Sequence, residues 1–319
     1  MRRRWVIVLA LASAAACIAA VALLWPRERE REPLYQGRKL SQSLPRGVLL
    51  GHSSEEAHNL IESFGTNALP WLVEWMGYDP PGWKGKLYQK LRRPVASFSP
   101  VSRMLGYDFS KYDRAEGAMV VLCELGNEAR PAIPDLAELL RKRKGREASR
   151  RAIFVLRQLG RDAVPPLVAE VKDRRSLNRV QAVQALEAMR DLDTSSGAAV
   201  RALAQALVES AAQTEWKLAE VTARALGELV LNPEISVPAL TNAVCFSRGG
   251  THSARAGLRM EVGIALGRFA QDARAAVPVL VELLTDPEPV VQDAATLALR
   301  DIAPEVLEQA AKPGSQNLR

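Results

Sequence analysis

Aromatic residues make up only 5% of this 319-residue chain, which also has just three cysteines and three histidines. So few cysteines exclude a disulfide framework. His52 and His58 are six residues apart, which puts them on different faces of a helix and excludes a zinc pair, and His252 stands alone. There is no Cys-x-x-Cys, no G-x-S-x-G, no phosphate loop and no dinucleotide fingerprint. Acidic residues recur without an inward-facing pair. These absences argue against catalysis, and the expectation is no catalytic residue, no metal ligand and no cofactor. Cys123 and Cys245 fall in helical segments and are expected to be buried rather than reactive. Sustained strand-like alternation is also missing. With 20 Gly and 19 Pro the chain is neither collagen-like nor a low-complexity linker, and 48% hydrophobic residues exclude a disordered chain. Its length suffices to bury a substantial core.

What is present begins with a charge-free run of 20 residues, Val6 to Trp25. As a helix it would cover roughly 30 Å, the thickness of a bilayer's hydrocarbon core. Arg2, Arg3 and Arg4 precede it, Trp5 and Trp25 flank it, and Pro26 with alternating arginines and glutamates to Glu32 ends it. The expectation is a transmembrane signal-anchor over 1–26, with a C-terminal domain outside the cytoplasm, on the periplasmic side of a bacterial inner membrane. Two other fates compete: cleavage after Ala20-Val21-Ala22, which lies inside the apolar stretch, and lipidation at Cys17 after Ala14-Ala15-Ala16. A polar linker is expected over 27–50 and a disordered tail over 304–319.

Between these segments the sequence repeats itself. One element reads apolar-Pro-x-Leu-x-x-apolar-apolar: Leu69–Met76, Ile133–Leu140, Val164–Val171, Val237–Val244 and Val277–Leu284. Val200–Leu207 keeps the leucine without the proline. Proline suits a first helical turn, where its missing N–H has no internal partner to lose. The second element carries Leu122, Leu156, Leu186, Leu226, Leu266 and Leu299. Three residues later come Leu125, Leu159, Met189, Leu229, Phe269 and Ile302. Four residues before each leucine stand Ala118, Ala152, Ala182, Thr222, Val262 and Ala295. That is one helix face, with small residues where helices approach closely. Gly227 and Gly267 recur at one repeat position and read as close packing.

These columns, above all residues 265–278 (ALGRFAQDARAAVP) and 283–295 (LLTDPEPVVQDAA), resemble HEAT repeats, in particular the bacterial HEAT-like repeats also found in bilin lyases. The resemblance covers about 54–303 and implies an all-α fold. It points to a right-handed α-solenoid of about six helix pairs over 51–303, with one transmembrane helix before it. It is unspecific for function, because such repeats host scaffolds, lyases and nucleic-acid enzymes.

Residues 77–114 interrupt the first pair. Ten of the 17 aromatic residues lie between Phe64 and Tyr112, and Trp83, Tyr88, Tyr107 and Tyr112 are candidate contacts of a binding surface or of a cap over the terminal repeat. Charge is segregated behind the net +7: residues 77–114 hold eight basic and three acidic groups, 141–151 seven and one, and 172–179 four and one. All three segments fall at the turn inside a helix pair. They predict a positive edge made by Lys84, Lys86, Arg92, Arg93, Arg141, Lys142, Arg143, Lys144, Arg150, Arg174 and Arg175. Anionic lipid, an anionic envelope polymer or an acidic protein would suit such an edge, and an ordinary solvated edge is the alternative. The expected function is a non-catalytic, membrane-tethered scaffold for a protein partner. The alternative is a bilin-lyase-like or other HEAT-like enzyme or chaperone; binding to nucleic acid is disfavoured.

Overall fold

The computed structural model describes residues 34–35, 38–43, 64–79, 109–142, 145–189, 197–247 and 253–310. It is all-helical apart from a two-residue antiparallel pair, β1 (Leu34–Tyr35) and β2 (Arg38–Lys39). Helix α1 (Leu40–Ser43) follows, then α2 (Leu69–Met76), α3 (Phe109–Glu124), α4 (Ile133–Arg141), α5 (Arg146–Gln158) and α6 (Val164–Lys172). Next come α7 (Arg179–Glu187), α8 (Gly197–Ala212), α9 (Trp216–Leu229) and α10 (Pro233–Ser247). The last are α11 (Ser253–Phe269), α12 (Val277–Leu283), α13 (Pro289–Ile302) and α14 (Pro304–Ala310).

The helices pair as α2–α3, α4–α5, α6–α7, α8–α9, α10–α11 and α12–α13, and each second helix also touches the second helix of the neighbouring pair, from α3 through to α13. The leucine column explains this row. All six leucines are buried, and the six residues four positions earlier are each fully buried. Those small or β-branched side chains let the helix axes approach, while the leucines fill the space between pairs. The proline-led helices begin where the motif does at Leu69, Ile133, Val164 and Val277. Short 3-10 turns feed them, and at Gly126 and Gly160 those turns open with φ of +49° and +70°, which a glycine adopts without steric cost. The fifth pair departs from the pattern: α10 starts four residues early at Pro233, leaving Pro238 inside the helix.

Three segments differ from their sequence-based outlines. The linker includes Leu40, which is fully buried in the core. Helix α3 begins at Phe109, inside the expected insertion. The first seven residues of the tail form α14, whose Val306 and Leu307 pack on the core while Glu305 pairs with Arg274 at 2.7 Å. The single-pass membrane localisation is corrected. No helix among the described residues is long and apolar enough to cross a membrane. The longest of them, α11, has 17 residues and carries charges, against the roughly 20 apolar residues a span requires. Residues 6–25 lie outside the described residues.

Candidate functional site

The sequence concentrates positive charge at turns inside the helix pairs. A helix ends with carbonyls that have no intrahelical partner and with a negative dipole end, so a cation placed there is doubly favoured. Three buried arginines use this. Arg151 donates from Nη1 to the carbonyls of Met76 (3.2 Å) and Tyr78 (2.8 Å) at the end of α2, and from Nε to Glu116 Oε1 (2.6 Å). Arg179 donates from Nε to the Val171 carbonyl of α6 (3.0 Å) and from Nη1 to Glu215 Oε2 (3.1 Å). Arg259 donates from Nη1 to the Ser247 carbonyl of α10 (2.8 Å) and forks onto Asp286 at 2.6 and 3.0 Å. Arg179 and Arg259 each tie the end of the first helix of their own pair to a carboxylate of the next pair, whereas Arg151 reaches back to both the first helix and the carboxylate of the preceding pair. These are structural ties, and sequence reading missed their role. A signal existed: Arg179 and Arg259 both stand three residues before the small residue of their repeat, Ala182 and Val262.

Several of the predicted edge residues are themselves paired. Arg141 forks onto Glu138 at 2.6 Å with both nitrogens, and Lys142 reaches the same carboxylate at 3.2 Å. The Arg141 hydrogen bond, with help from Lys142, holds the exposed Glu138 carboxyl down at about 2. Arg150 lies between Glu147 (3.0 Å) and Glu116 (3.2 Å). Arg174 pairs with Glu209 at 2.7 Å, and Arg175 is exposed, its backbone N–H donated to Asp173. Tyr112 is half-buried beneath the Arg151 guanidinium, 5.1 Å from its ring centroid, and burial pushes its phenol up. Lys84, Lys86, Arg92, Arg93, Arg143, Lys144, Trp83, Tyr88 and Tyr107 lie outside the described residues, as do the three histidines. Along the row of second helices, Arg224 on α9 bridges Glu187 (3.0 Å) and Glu261 (3.7 Å), and burial raises the Glu261 carboxyl.

Among the described residues, no cluster of three or more His, Cys, Asp and Glu side chains could hold a metal ion. The two described cysteines differ. Burial pushes the Cys123 thiol up to about 12, whereas Cys245 is exposed, contrary to its expected burial. Cys245 stands just past the motif, where Arg141, Lys172 and Thr285 are also exposed, while Val237, Leu240 and Val244 keep the buried face of α10. Only the thiolate is nucleophilic, so iodoacetamide at pH 8 should label Cys245 well before Cys123. Peptide mapping over time checks this, and labelling at equal rates would contradict the burial of Cys123.

No family model and no curated protein matches the chain. A solved structure titled as that of an engineered protein is similar to it at 19% sequence identity and a TM-score of 0.43, over 82% of this chain and 62% of the other. The chain therefore spans less than two thirds of that protein's length.

Proposed function

We propose that the chain is a non-catalytic protein-interaction module, built as a right-handed α-solenoid of HEAT-like helix pairs that holds a rigid surface toward a partner. The observation that carries this reading is a column of exposed apolar side chains in one register of the second helices. Phe154 on α5, Ile264 on α11 and Leu297 on α13 each precede the repeat leucine by two residues, and they are 40%, 37% and 56% exposed. A large side chain left in water at a repeated position gains nothing for the fold, and recurrent exposed apolar groups suit a protein interface. The buried columns beside them, together with the arginine ties, keep the helices in fixed relation. Such a surface needs no reactive group, consistent with the absence of catalytic motifs from the sequence.

Crosslinking mass spectrometry on the full chain in its native extract tests the proposal, alongside variants Ile264→Glu and Leu297→Glu. These exposed changes should move stability by no more than about 0.5 kcal/mol. The expected result is a partner whose crosslinks fall on α5, α11 and α13 and whose recovery drops in both variants. Partner recovery unaffected by either change, or recovery of only a small molecule, would overturn it.

A further inference from the structure

One surface cleft includes the Arg174–Glu209 pair. It lies between the α6–α7 turn and α8, has a volume of about 120 Å³, and its polar lining comprises Lys172, Arg174, Arg179, Gln205 and Glu209. Its charged lining residues are three cations and one carboxylate. The Arg179 side chain is only 5% exposed. Two of its nitrogens are used, on Val171 and Glu215, but Nη2 is buried and has no hydrogen-bond partner among the described residues. An unmet buried donor costs about 1–3 kcal/mol, and more where the group is charged.

The rest of the cleft already handles an oxyanion. Glu209 takes Arg174 Nε at 3.1 Å and Nη2 at 2.7 Å, and Gln205 Nε2 at 2.9 Å. The Arg174 hydrogen bond leads the causes that hold the Glu209 carboxyl below its ordinary range. Arg174 is 60% exposed and extends from a turn, so its fork can leave Glu209 for a stronger acceptor. The donors come from the end of α6, the turn, the start of α7 and α8, so the cleft draws them from four places along the chain. Charge agrees: the lining is doubly positive in net, and a phosphate monoester carries about −1.5 to −2 near neutral pH.

We propose that this cleft binds a phosphate group, free or carried as a monoester, with Arg179 as its buried floor, Arg174 and Lys172 as its closing cations and Glu209 as the internal competitor. Glu209 then acts as a gate: removing its charge frees the Arg174 fork and strengthens the site, while removing Arg174 weakens it. A purely structural Arg174–Glu209 pair would make both changes neutral for phosphate.

The test is calorimetric titration of the full chain, wild type, Glu209→Gln and Arg174→Gln, at fixed ionic strength. Inorganic phosphate and phenyl phosphate are the two ligand arms, with acetate and chloride as controls. Saturable phosphate binding is expected, about tenfold tighter in Glu209→Gln and about tenfold weaker in Arg174→Gln, each a change of one charge-assisted contact. Phenyl phosphate equalling or exceeding inorganic phosphate assigns the site to a carried monoester; binding of the inorganic ion alone assigns it to free phosphate. Acetate binding as tightly as phosphate, no saturable binding, or identical affinities in all three proteins would overturn the proposal. Urea midpoints of the two variants separate loss of the site from loss of the fold.

Discussion

Asp286→Ala is expected to destabilise the chain by about 3–5 kcal/mol, because it leaves a buried guanidinium without its counter-charge. Asp286 is 8% exposed and Arg259 only 2%. The carboxylate receives Arg259 Nε at 2.6 Å and Nη2 at 3.0 Å, and it also takes the Glu288 N–H at 3.0 Å ahead of α13. After the change, Arg259 keeps only the Ser247 carbonyl, and the turn before α13 loses its anchor. The loss should read as a lower urea midpoint. The informative comparison is Arg259→Met combined with Asp286→Ala. Removing both charges also removes the desolvation penalty, so the double variant should recover much of the loss, and the cycle should show strong coupling. A cost within about 1 kcal/mol for Asp286→Ala would mean that the guanidinium is solvated in place and ties nothing.

Helices and core were legible for a physical reason: the 3–4 spacing that buries one helix face is a local property, readable within a dozen residues. Leu156 with Ala152 and Leu159, or Leu299 with Ala295 and Ile302, need no distant information, and all are buried. Much of the charge pairing, by contrast, is not local. Arg259 meets Asp286 27 residues away, Arg151 meets Glu116 at 35, Arg174 meets Glu209 at 35 and Arg179 meets Glu215 at 36. These separations are about one repeat. A window that sums charge along the chain counts each arginine in one segment and its carboxylate in the next, so the turn at 172–179 reads as basic although Arg174 and Arg179 are answered from α8 and the turn after it. Counting charge at one-repeat offsets would have found those pairs. It would not have found the unmet Nη2 of Arg179, because which nitrogen of a fork is left over depends on side-chain geometry. Cys245 was misplaced for a different reason. The Val237–Val244 motif keeps its buried phase, but Cys245 is the residue after it, the position at which Arg141, Lys172 and Thr285 face solvent in the other repeats.

Gly227→Ala carries the other large expected effect, and its sign is opposite to what a helix interior predicts. Alanine in place of glycine ordinarily favours a helix by about 0.5–1 kcal/mol. Gly117 on α3, whose added Cβ would meet nothing within 4 Å, should show that gain. At Gly227 the Cβ would lie 2.6 Å from Ala265 Cβ and 2.7 Å from Ala265 Cα. The second contact is backbone, so no rotamer change relieves it, and α9 must move away from α11. That separation opens the row of packed second helices on both sides. Overpacking of this kind costs about 1–3 kcal/mol, enough to outweigh the propensity gain. Ala265→Gly alone removes a buried methyl and weakens α11, yet added to Gly227→Ala it removes the 2.6 Å contact and should recover part of the loss, the 2.7 Å approach to the Cα of residue 265 remaining. Urea denaturation of the four proteins measures this. Strictly additive effects would show that α9 and α11 do not touch through these two positions, whereas the close approach requires the second change to compensate the first.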